Sequence, residues 1–370
     1  MKDNVLYPLP QIIGSGNNVS DWNARRARIA AELIDVEYGG LPPQPEYFDL
    51  ENIHTPGPGR LNTYRIHAGR PGNNLSYCLQ IYRPKKDGRV PVVLTGDGCY
   101  RYFNDTVIDE ILSRGFAAAR FNRTEIVSDV YAYDIVRASP LYDIYPDIDS
   151  GSIAGWAWGF MRSMDALEKL NFVDVHRVAF TGHSRGGKTA LLAGAVDLRA
   201  AYVNPNGSGA AGAGCYRYRM QLPDADSSLT DLRSERLSDL LRVVPFWLGP
   251  KIKQYEQDET ALPFDQHFLK ALVAPRYLLQ TEGVDDIWAN PIGTHYTLLA
   301  ARELYSALGA ENRILSRYRP GGHCHKTEDF CALLDMMEHD IHGTQLSQDF
   351  FAPPYRMKIS DETNTNTRIR

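Results

Sequence analysis

The sequence has no basic tract, no long apolar run and few cysteines. Its formal net charge is −5, so bulk electrostatics give the chain no attraction for nucleic acid or for an anionic membrane surface. The cysteines are odd in number and lack metal-ligand spacing, which argues against a disulfide framework and predicts reduced thiols. They are Cys78, Cys99, Cys215, Cys324 and Cys331. A small-molecule partner is therefore favoured over a nucleic acid, and no motif indicates a cofactor.

No stretch of the sequence is apolar over the length that a bilayer-spanning helix needs. The N-terminal residues MKDNVLYPLPQIIGSG include a lysine but no apolar run of signal-peptide length. From these two absences we expect a cytoplasmic protein without a membrane partner.

The composition is that of an ordinary globular protein, with 43% hydrophobic and 23% charged residues in a chain of 370. That length suits one large α/β domain. Residues 22–37, WNARRARIAAELIDVE, carry apolar side chains at helical spacing and predict a helix within an N-terminal extension of about residues 1–45. The polar tail, about residues 358–370, is predicted to fray.

Strand-like runs alternate with helix-like segments along the rest of the chain. The runs are SYCLQIYRP, VPVVLTGDG, GFAAARFN, RVAFTG and RYLLQTEG. Such alternation predicts a mostly parallel, twisted sheet covered by helices on both faces, a three-layer αβα sandwich. The segment from Val127 to about residue 150 is rich in Tyr and Asp and fits neither period, so it is interpreted as a lid or binding loop.

A candidate nucleophile stands in the stretch FTGHSRGGKTALLAGAVDL, residues 180–198. Ser184 lies between Gly182 and Gly186, directly after a strand-like run and directly before a helix-like segment. This is the G-x-S-x-G pattern in the setting of a nucleophile elbow, where a sharp turn requires small flanking residues. The helix would also aim N–H groups at an oxygen that gains negative charge. The alternative is a glycine-rich turn with a solvated serine.

A serine nucleophile needs a histidine base held by a carboxylate, and in this fold the expected chain order is Ser, acid, His. The stretch RPGGHCHK supplies His323 and His325, either of which could be the base. The turn GVDDIWANP supplies Asp285 and Asp286 as candidate acids. His-Cys-His could instead suggest a metal site, but three adjacent residues cannot readily direct their side chains to one ion.

From WAWGFMRSMDALE to GGHCHKTEDF the chain resembles the glucuronoyl esterases of carbohydrate esterase family fifteen, which have the α/β-hydrolase fold. Ser184, Arg185 and Lys188 match the family's Ser-Arg-x-Gly-Lys element. The resemblance implies that Arg185 assists the oxyanion hole and that Lys188 contacts the sugar acid. It also gives Trp288 the place of a substrate-contacting tryptophan and His325 the place of the base.

The sequence departs from the family pattern at two places. The family carries its triad Glu after the nucleophile helix, where this chain reads NPNGSGAAGAGCYRY and has Gly207. Because glycine cannot orient an imidazole, we expect the acid to be Asp286 in the later turn. The family's sugar-contacting Gln and Glu have no counterpart in LSDLLRVVPFWLGP, where Val243 and Val244 stand. Glucuronate is therefore not the favoured acid.

The sequence accordingly predicts a serine carboxylic ester hydrolase acting on a compact, hydroxyl-rich or anionic ester, with Ser184, His325 and Asp286 as its triad. Two other functions stay open, namely thioester hydrolysis or acyl transfer on the same triad, and a non-catalytic carbohydrate-binding relative. For Lys188 and Trp288 the alternative is a solvated helix residue and an aromatic at the rim of the site.

Overall fold

The fold is taken from a computed structural model that describes residues 7–12, 19–20, 22–221 and 232–355. Within these residues one sheet has nine strands, in the order β1-β2-β3-β5-β4-β6-β7-β8-β9. The strands are β1 (Tyr47–His54), β2 (Leu61–Arg70), β3 (Asn73–Tyr82), β4 (Val90–Thr95), β5 (Ala117–Phe121), β6 (Val173–His183), β7 (Tyr202–Asn206), β8 (Tyr277–Gly283) and β9 (Ile314–Arg319). The six strands from β5 to β9 in this order run parallel, and β1, β2 and β3 extend the sheet in antiparallel pairing.

The central strands are buried on both faces because apolar side chains point alternately to the two helix layers. On β4, Val92 and Leu94 face one core while Val93 faces the other. On β6, Val178 and Phe180 face the first core and Ala179 the second. Side chains along a strand alternate between the two faces of the sheet, so a strand that is covered on both faces has apolar residues at every position.

The helices form two layers, and the described residues contain ten of them. They are α1 (Trp22–Tyr38), α2 (Asp105–Ser113), α3 (Tyr133–Arg137), α4 (Pro140–Ile144), α5 (Ser152–Glu168), α6 (Arg185–Val196), α7 (Leu237–Val243), α8 (Gln266–Ala271), α9 (Pro291–Ala307) and α10 (Thr327–His342). Helices α2 and α10 cover one face of the sheet, whereas α1, α5, α6, α8 and α9 share the core on the other face. The predicted three-layer α/β fold is thereby confirmed.

The structure also shows how the predicted segments are built. The helix expected at residues 22–37 is α1, whose Arg26 donates to the Ala195 carbonyl at 2.6 Å. The segment from residue 127 to 150 contains the short helices α3 and α4. The predicted fraying tail lies outside the described residues, and the division into an extension, a lid and one main body stays a prediction.

All five cysteines are free thiols in the structure. Across the part of the chain that the structure describes, no helix combines the length and the apolarity needed to cross a membrane.

Candidate active site

Ser184 occupies the sharp turn between β6 and α6. Its backbone has φ 54° and ψ −120°, a conformation that L-residues rarely adopt and that serine nucleophiles at such elbows share. The flanking residues must be glycines because neighbouring atoms lie too close to leave room for a Cβ. A Cβ at Gly182 would lie 2.4 Å from the Gly186 carbonyl oxygen, and one at Gly186 would lie 2.1 Å from Asp97 Oδ1. The side chain of Ser184 is half-buried at the edge where the parallel strands end.

Helix α6 begins directly after Ser184, at Arg185, so its first-turn N–H groups open toward the same edge of the sheet. The Ser184 N–H is already used, since it donates to the Asn206 carbonyl at 2.9 Å. The N–H of the residue after the nucleophile is the usual oxyanion donor in this fold. In this structure that N–H belongs to Arg185, the first residue of α6.

Asp286 and His323 form the hydrogen-bonded pair that a triad needs. Asp286 follows β8, is 4% exposed, and its Oδ2 lies 2.7 Å from His323 Nδ1. Its Oδ1 accepts the Ala289 N–H at 3.2 Å, which fixes the carboxylate plane. Because a carboxylate accepts hydrogen bonds, this contact directs the Nδ1–H of His323 toward Asp286 and leaves Nε2 as the ring nitrogen on the other side. His323 is in contact with the elbow, because its ring centroid lies 4.5 Å from that of His183.

Asp285 holds the histidine loop in another way. Its side chain is exposed, and its Oδ2 accepts the Gly321 N–H at 2.8 Å. Its own N–H donates to the Gly321 carbonyl at 3.1 Å. Asp285 thus joins the loop after β8 to the loop after β9 through the backbone of Gly321. The neighbouring Asp286 instead contacts the His323 imidazole.

The preference for His325 as the partner of the acid is wrong for this structure, because His325 points into the core. Its ring stacks on Phe330 with centroids 3.9 Å apart, and it is 5% exposed. Its Nε2 is buried and has no hydrogen-bond partner within the described part of the chain. Burial holds the pKa of His325 well below the usual value of 6.5. The two histidines, two residues apart in a glycine-rich loop, face different surroundings.

His183 also stays neutral beside His323. Its Nδ1 lies 2.6 Å from Asn206 Oδ1, and the Asn206 amide nitrogen donates to the Thr281 carbonyl at 3.1 Å. Because Asn206 thereby presents its oxygen to His183, Nδ1 of His183 carries the proton. Burial, followed by the neighbouring His323 ring, lowers the pKa of His183 to about 3.

Lys188 is buried, and its ammonium group is hydrogen-bonded within the protein. It is 2% exposed, and its Nζ donates to the carbonyl of Ser208 at 2.7 Å, to the carbonyl of Ala210 and to Glu235 Oε2 at 2.6 Å. These acceptors engage all three N–H donors of an ammonium group. A solvated position is thereby excluded for Lys188, whereas its predicted contact with the acyl group stays a prediction.

Glu235 is a site residue that sequence reasoning missed. It lies two residues before the stretch in which an acidic counterpart was sought, and its N–H donates to the Trp288 carbonyl at 2.9 Å. Its side chain is 8% exposed, and burial raises the pKa of the carboxyl while Lys188 opposes that shift. Trp288 lies next to Arg233, whose guanidinium is 5.8 Å from the centre of the half-buried Trp288 indole. The sequence signal that could have identified Glu235 is an acidic residue shortly before α7.

Gly207 lies beside the Asp286–His323 pair. Its φ is 49°, and a Cβ built on it would be 3.3 Å from Asp286 Oδ2 and 3.4 Å from His183 Cε1. A side chain at position 207 would therefore project to the place that the Asp286 carboxylate fills.

A doubly covered, mostly parallel sheet with a strained serine elbow after β6 and an Asp-His pair after β8 and β9 defines an α/β-hydrolase. Comparison with known proteins narrows this class. The family model described as fungal glucuronyl esterase matches residues 66–309. The chain therefore belongs to the glucuronoyl esterase family, whose members are carboxylic ester hydrolases.

Individual relatives agree with this family. A 4-O-methyl-glucuronoyl methylesterase from Podospora anserina is 31% identical over 326 residues, which are 85% of this chain and 63% of that enzyme. One from Wolfiporia cocos is 28% identical over 96% of this chain and 85% of its own length. A family-15 glucuronoyl esterase structure from Caldicellulosiruptor kristjansonii has a TM-score of 0.82 at 29% identity and covers 96% of both chains.

Proposed function

We propose that the protein hydrolyses esters of glucuronic acid and its 4-O-methyl derivative, with Ser184 as nucleophile, His323 as base and Asp286 as the acid that orients it. The names of its curated relatives support this substrate class. The observation that carries the mechanism is the 2.7 Å contact between Asp286 and His323 beside the elbow. The proposal replaces the expectation that glucuronate is not the favoured acid.

In the proposed reaction, His323 Nε2 takes the proton of the Ser184 hydroxyl as its oxygen attacks the ester carbonyl. The negative charge that develops on the carbonyl oxygen is stabilised by the Arg185 N–H at the start of α6 and by the Arg185 guanidinium. His323 then donates the proton to the leaving alcohol, which departs as the acyl-enzyme forms. Water attacks this intermediate by the same route and releases the free acid.

The acyl part of the substrate is proposed to lie between Trp288 and Glu235. A sugar ring packs well on an aromatic face, and its hydroxyls need acceptors. Glu235 Oε2 is bound by Lys188, whereas Oε1 has no protein partner among the described residues. Lys188 thus acts through Glu235, keeping that carboxylate ionised and fixed so that Oε1 can accept from a hydroxyl group.

A substrate panel tests the function as a whole. The methyl ester of 4-O-methyl-glucuronic acid, 4-nitrophenyl acetate and an acetyl thioester would be compared by kcat/KM. We expect the uronate ester to be preferred over the thioester by at least about a hundredfold. Equal or faster turnover of the thioester would favour the thioesterase alternative, and no turnover of any of the three would favour the non-catalytic one.

Replacing Asp286 with Asn is expected to lower kcat by about four orders of magnitude, because an amide holds the imidazole in the wrong tautomer. Asp285→Asn is the matched control, since an Asn oxygen can still accept the Gly321 N–H that Asp285 accepts at 2.8 Å. We expect less than about a tenfold loss in that variant. Steady-state rates on the uronate methyl ester measure both, and equal losses would remove Asp286 from the triad.

Glu235→Gln is expected to lower kcat/KM on the uronate ester by about 10- to 100-fold, the range for losing a hydrogen bond to a charged group. On 4-nitrophenyl acetate, which has no sugar hydroxyls, the loss should stay under about threefold. Glu256→Gln, an exposed acid outside the site, serves as the control. A loss of the same size on both substrates would mean that Glu235 does not recognise the sugar.

A further inference from the structure

Four alternating charges form a continuous chain from the nucleophile strand to Arg185. Arg185 Nη1 donates to Asp129 Oδ1 at 2.8 Å, and Arg123 Nη2 donates to Asp129 Oδ2 at 3.0 Å. Arg123 Nη1 donates to Asp97 Oδ1, and Asp97 Oδ2 accepts the backbone N–H of His183 at 2.8 Å. We call Asp97, Arg123, Asp129 and Arg185 the charge chain. It ties the last residue before the nucleophile to the guanidinium that follows it.

The inner members of the charge chain are buried. The side chain of Arg123 is 0% exposed, that of Asp97 3% and that of Asp129 5%. The Arg123 guanidinium also lies 4.9 Å from the Trp156 ring and 5.1 Å from the Tyr100 ring. Buried ions are tolerated only when each is paired, and here two cations and two anions alternate. Moving any one member of the charge chain would leave a buried charge unpaired, so the four side chains are held in this arrangement.

At the outer end of the charge chain, Arg185 is held by its neighbours but its side chain remains partly exposed to solvent. Its Nη2 donates to the Tyr131 hydroxyl at 3.2 Å, and its guanidinium packs 4.6 Å from the Trp247 ring centre. The side chain is 21% exposed. An arginine has five N–H donors, and the contacts to Asp129 and Tyr131 use two of them. The other donors have no partner among the described residues and are available to a bound substrate.

We propose that Asp129, anchored by Arg123, is a positioning residue that holds the Arg185 guanidinium in the orientation needed to stabilise the oxyanion. A free arginine side chain samples many rotamers, and fixing it before the reaction removes that cost from the transition state. Asp97 anchors the backbone of the elbow to the same Arg123, so the nucleophile and the guanidinium share one support. This inference rests on the proposed role of Arg185 in the esterase reaction.

The segment between residues 127 and 150 gains a second role from this inference. It contributes Asp129 and Tyr131, both of which contact Arg185. Besides bordering the site, as the sequence predicts, the segment would prepare a group that touches the reacting oxygen.

A double-mutant cycle on the full-length protein tests the proposal. Arg185→Met, Asp129→Asn and the double variant would be compared by kcat and KM on the methyl ester of 4-O-methyl-glucuronic acid. Arg185→Met should lower kcat by about 10²- to 10³-fold, the loss typical of one oxyanion donor. Asp129→Asn should lower kcat by about 10- to 50-fold with KM within about threefold. In the Arg185→Met background it should lower kcat by less than about threefold, because the group it positions is gone.

Asp134→Asn is the matched control, since it removes the same charge from an exposed position in the same segment; its kcat should change by less than about twofold. If Asp129→Asn fails to fold by circular dichroism, Tyr131→Phe replaces it in the cycle, because it removes one contact of Arg185 without leaving a buried charge unpaired. That variant should lower kcat about three- to tenfold, and only when Arg185 is present.

Two results would overturn the inference, and they are distinguishable. If Arg185→Met lowers kcat but the effect of the second substitution is fully additive with it, Asp129 does not act through Arg185. If Arg185→Met leaves kcat unchanged, the proposed role of Arg185 fails, and the role of Asp129 fails with it.

Discussion

Ser184→Ala is expected to lower kcat on the uronate methyl ester by about a millionfold, the loss typical of removing a triad nucleophile. The hydroxyl is half-buried at a turn with φ 54°, and its removal deletes no core packing. Steady-state rates give the loss, and a thermal melt within about 2 °C of the unchanged protein would show that the fold is kept. Labelling by a fluorophosphonate probe should disappear in the same variant.

Ser113→Ala is a suitable control, since Ser113 is an exposed residue at the end of α2. It should keep full activity and full labelling by the probe. Residual activity of Ser184→Ala above about one percent of the unchanged rate would mean that another group forms the covalent intermediate.

The central sheet was predictable because parallel strands buried on both faces are continuous apolar runs. Four of the five runs read from the sequence became the parallel strands β4, β5, β6 and β8, and the fifth became the antiparallel strand β3. Strand β7 was missed because YVNPN carries two asparagines and a proline, which favour turns. In the fold these asparagines are satisfied by the next strand, since Asn204 donates to the Leu279 carbonyl at 2.8 Å and Asn206 to the Thr281 carbonyl at 3.1 Å. Only tertiary pairing supplies those acceptors.

The elbow was predictable because its chemistry is local. A serine between glycines at a strand-to-helix junction determines where the hydroxyl lies, whatever surrounds it. The groups that support it are distant in sequence, with Asp129 56 residues from Arg185 and Glu235 47 residues from Lys188. No spacing rule connects such pairs, so their partnership requires the sheet that brings the ends of β5, β6 and β7 to one edge.

The choice between the two histidines could not be made from sequence for a related reason. His323 and His325 share one loop, and the path of that loop decides which ring meets Asp286. Residue 325 comes two positions before α10 begins, and its ring stacks on Phe330 within that helix. The start of the helix directs the second histidine inward and leaves the first at the sheet edge.

His323→Gln is expected to lower kcat about as much as loss of the nucleophile, since the two residues act as a unit. His325→Gln is the matched substitution two residues away, and its kcat should fall by less than about tenfold. Its cost should appear in stability, as a loss of about 1–3 kcal/mol in the free energy of unfolding, because the stacked ring on Phe330 is removed. Rates on the uronate ester and denaturant titrations measure the two effects separately.

The physical basis of this contrast is the protonation state of each ring. A base must accept the serine proton in the transition state, and burial holds the pKa of His325 well below 6.5, which makes it a poor acceptor. His323 has an acid 2.7 Å from Nδ1 to stabilise its imidazolium, which His325 lacks among the described residues. A millionfold loss in His325→Gln with a mild loss in His323→Gln would reverse the assignment, and the Asp286 contact would then be structural.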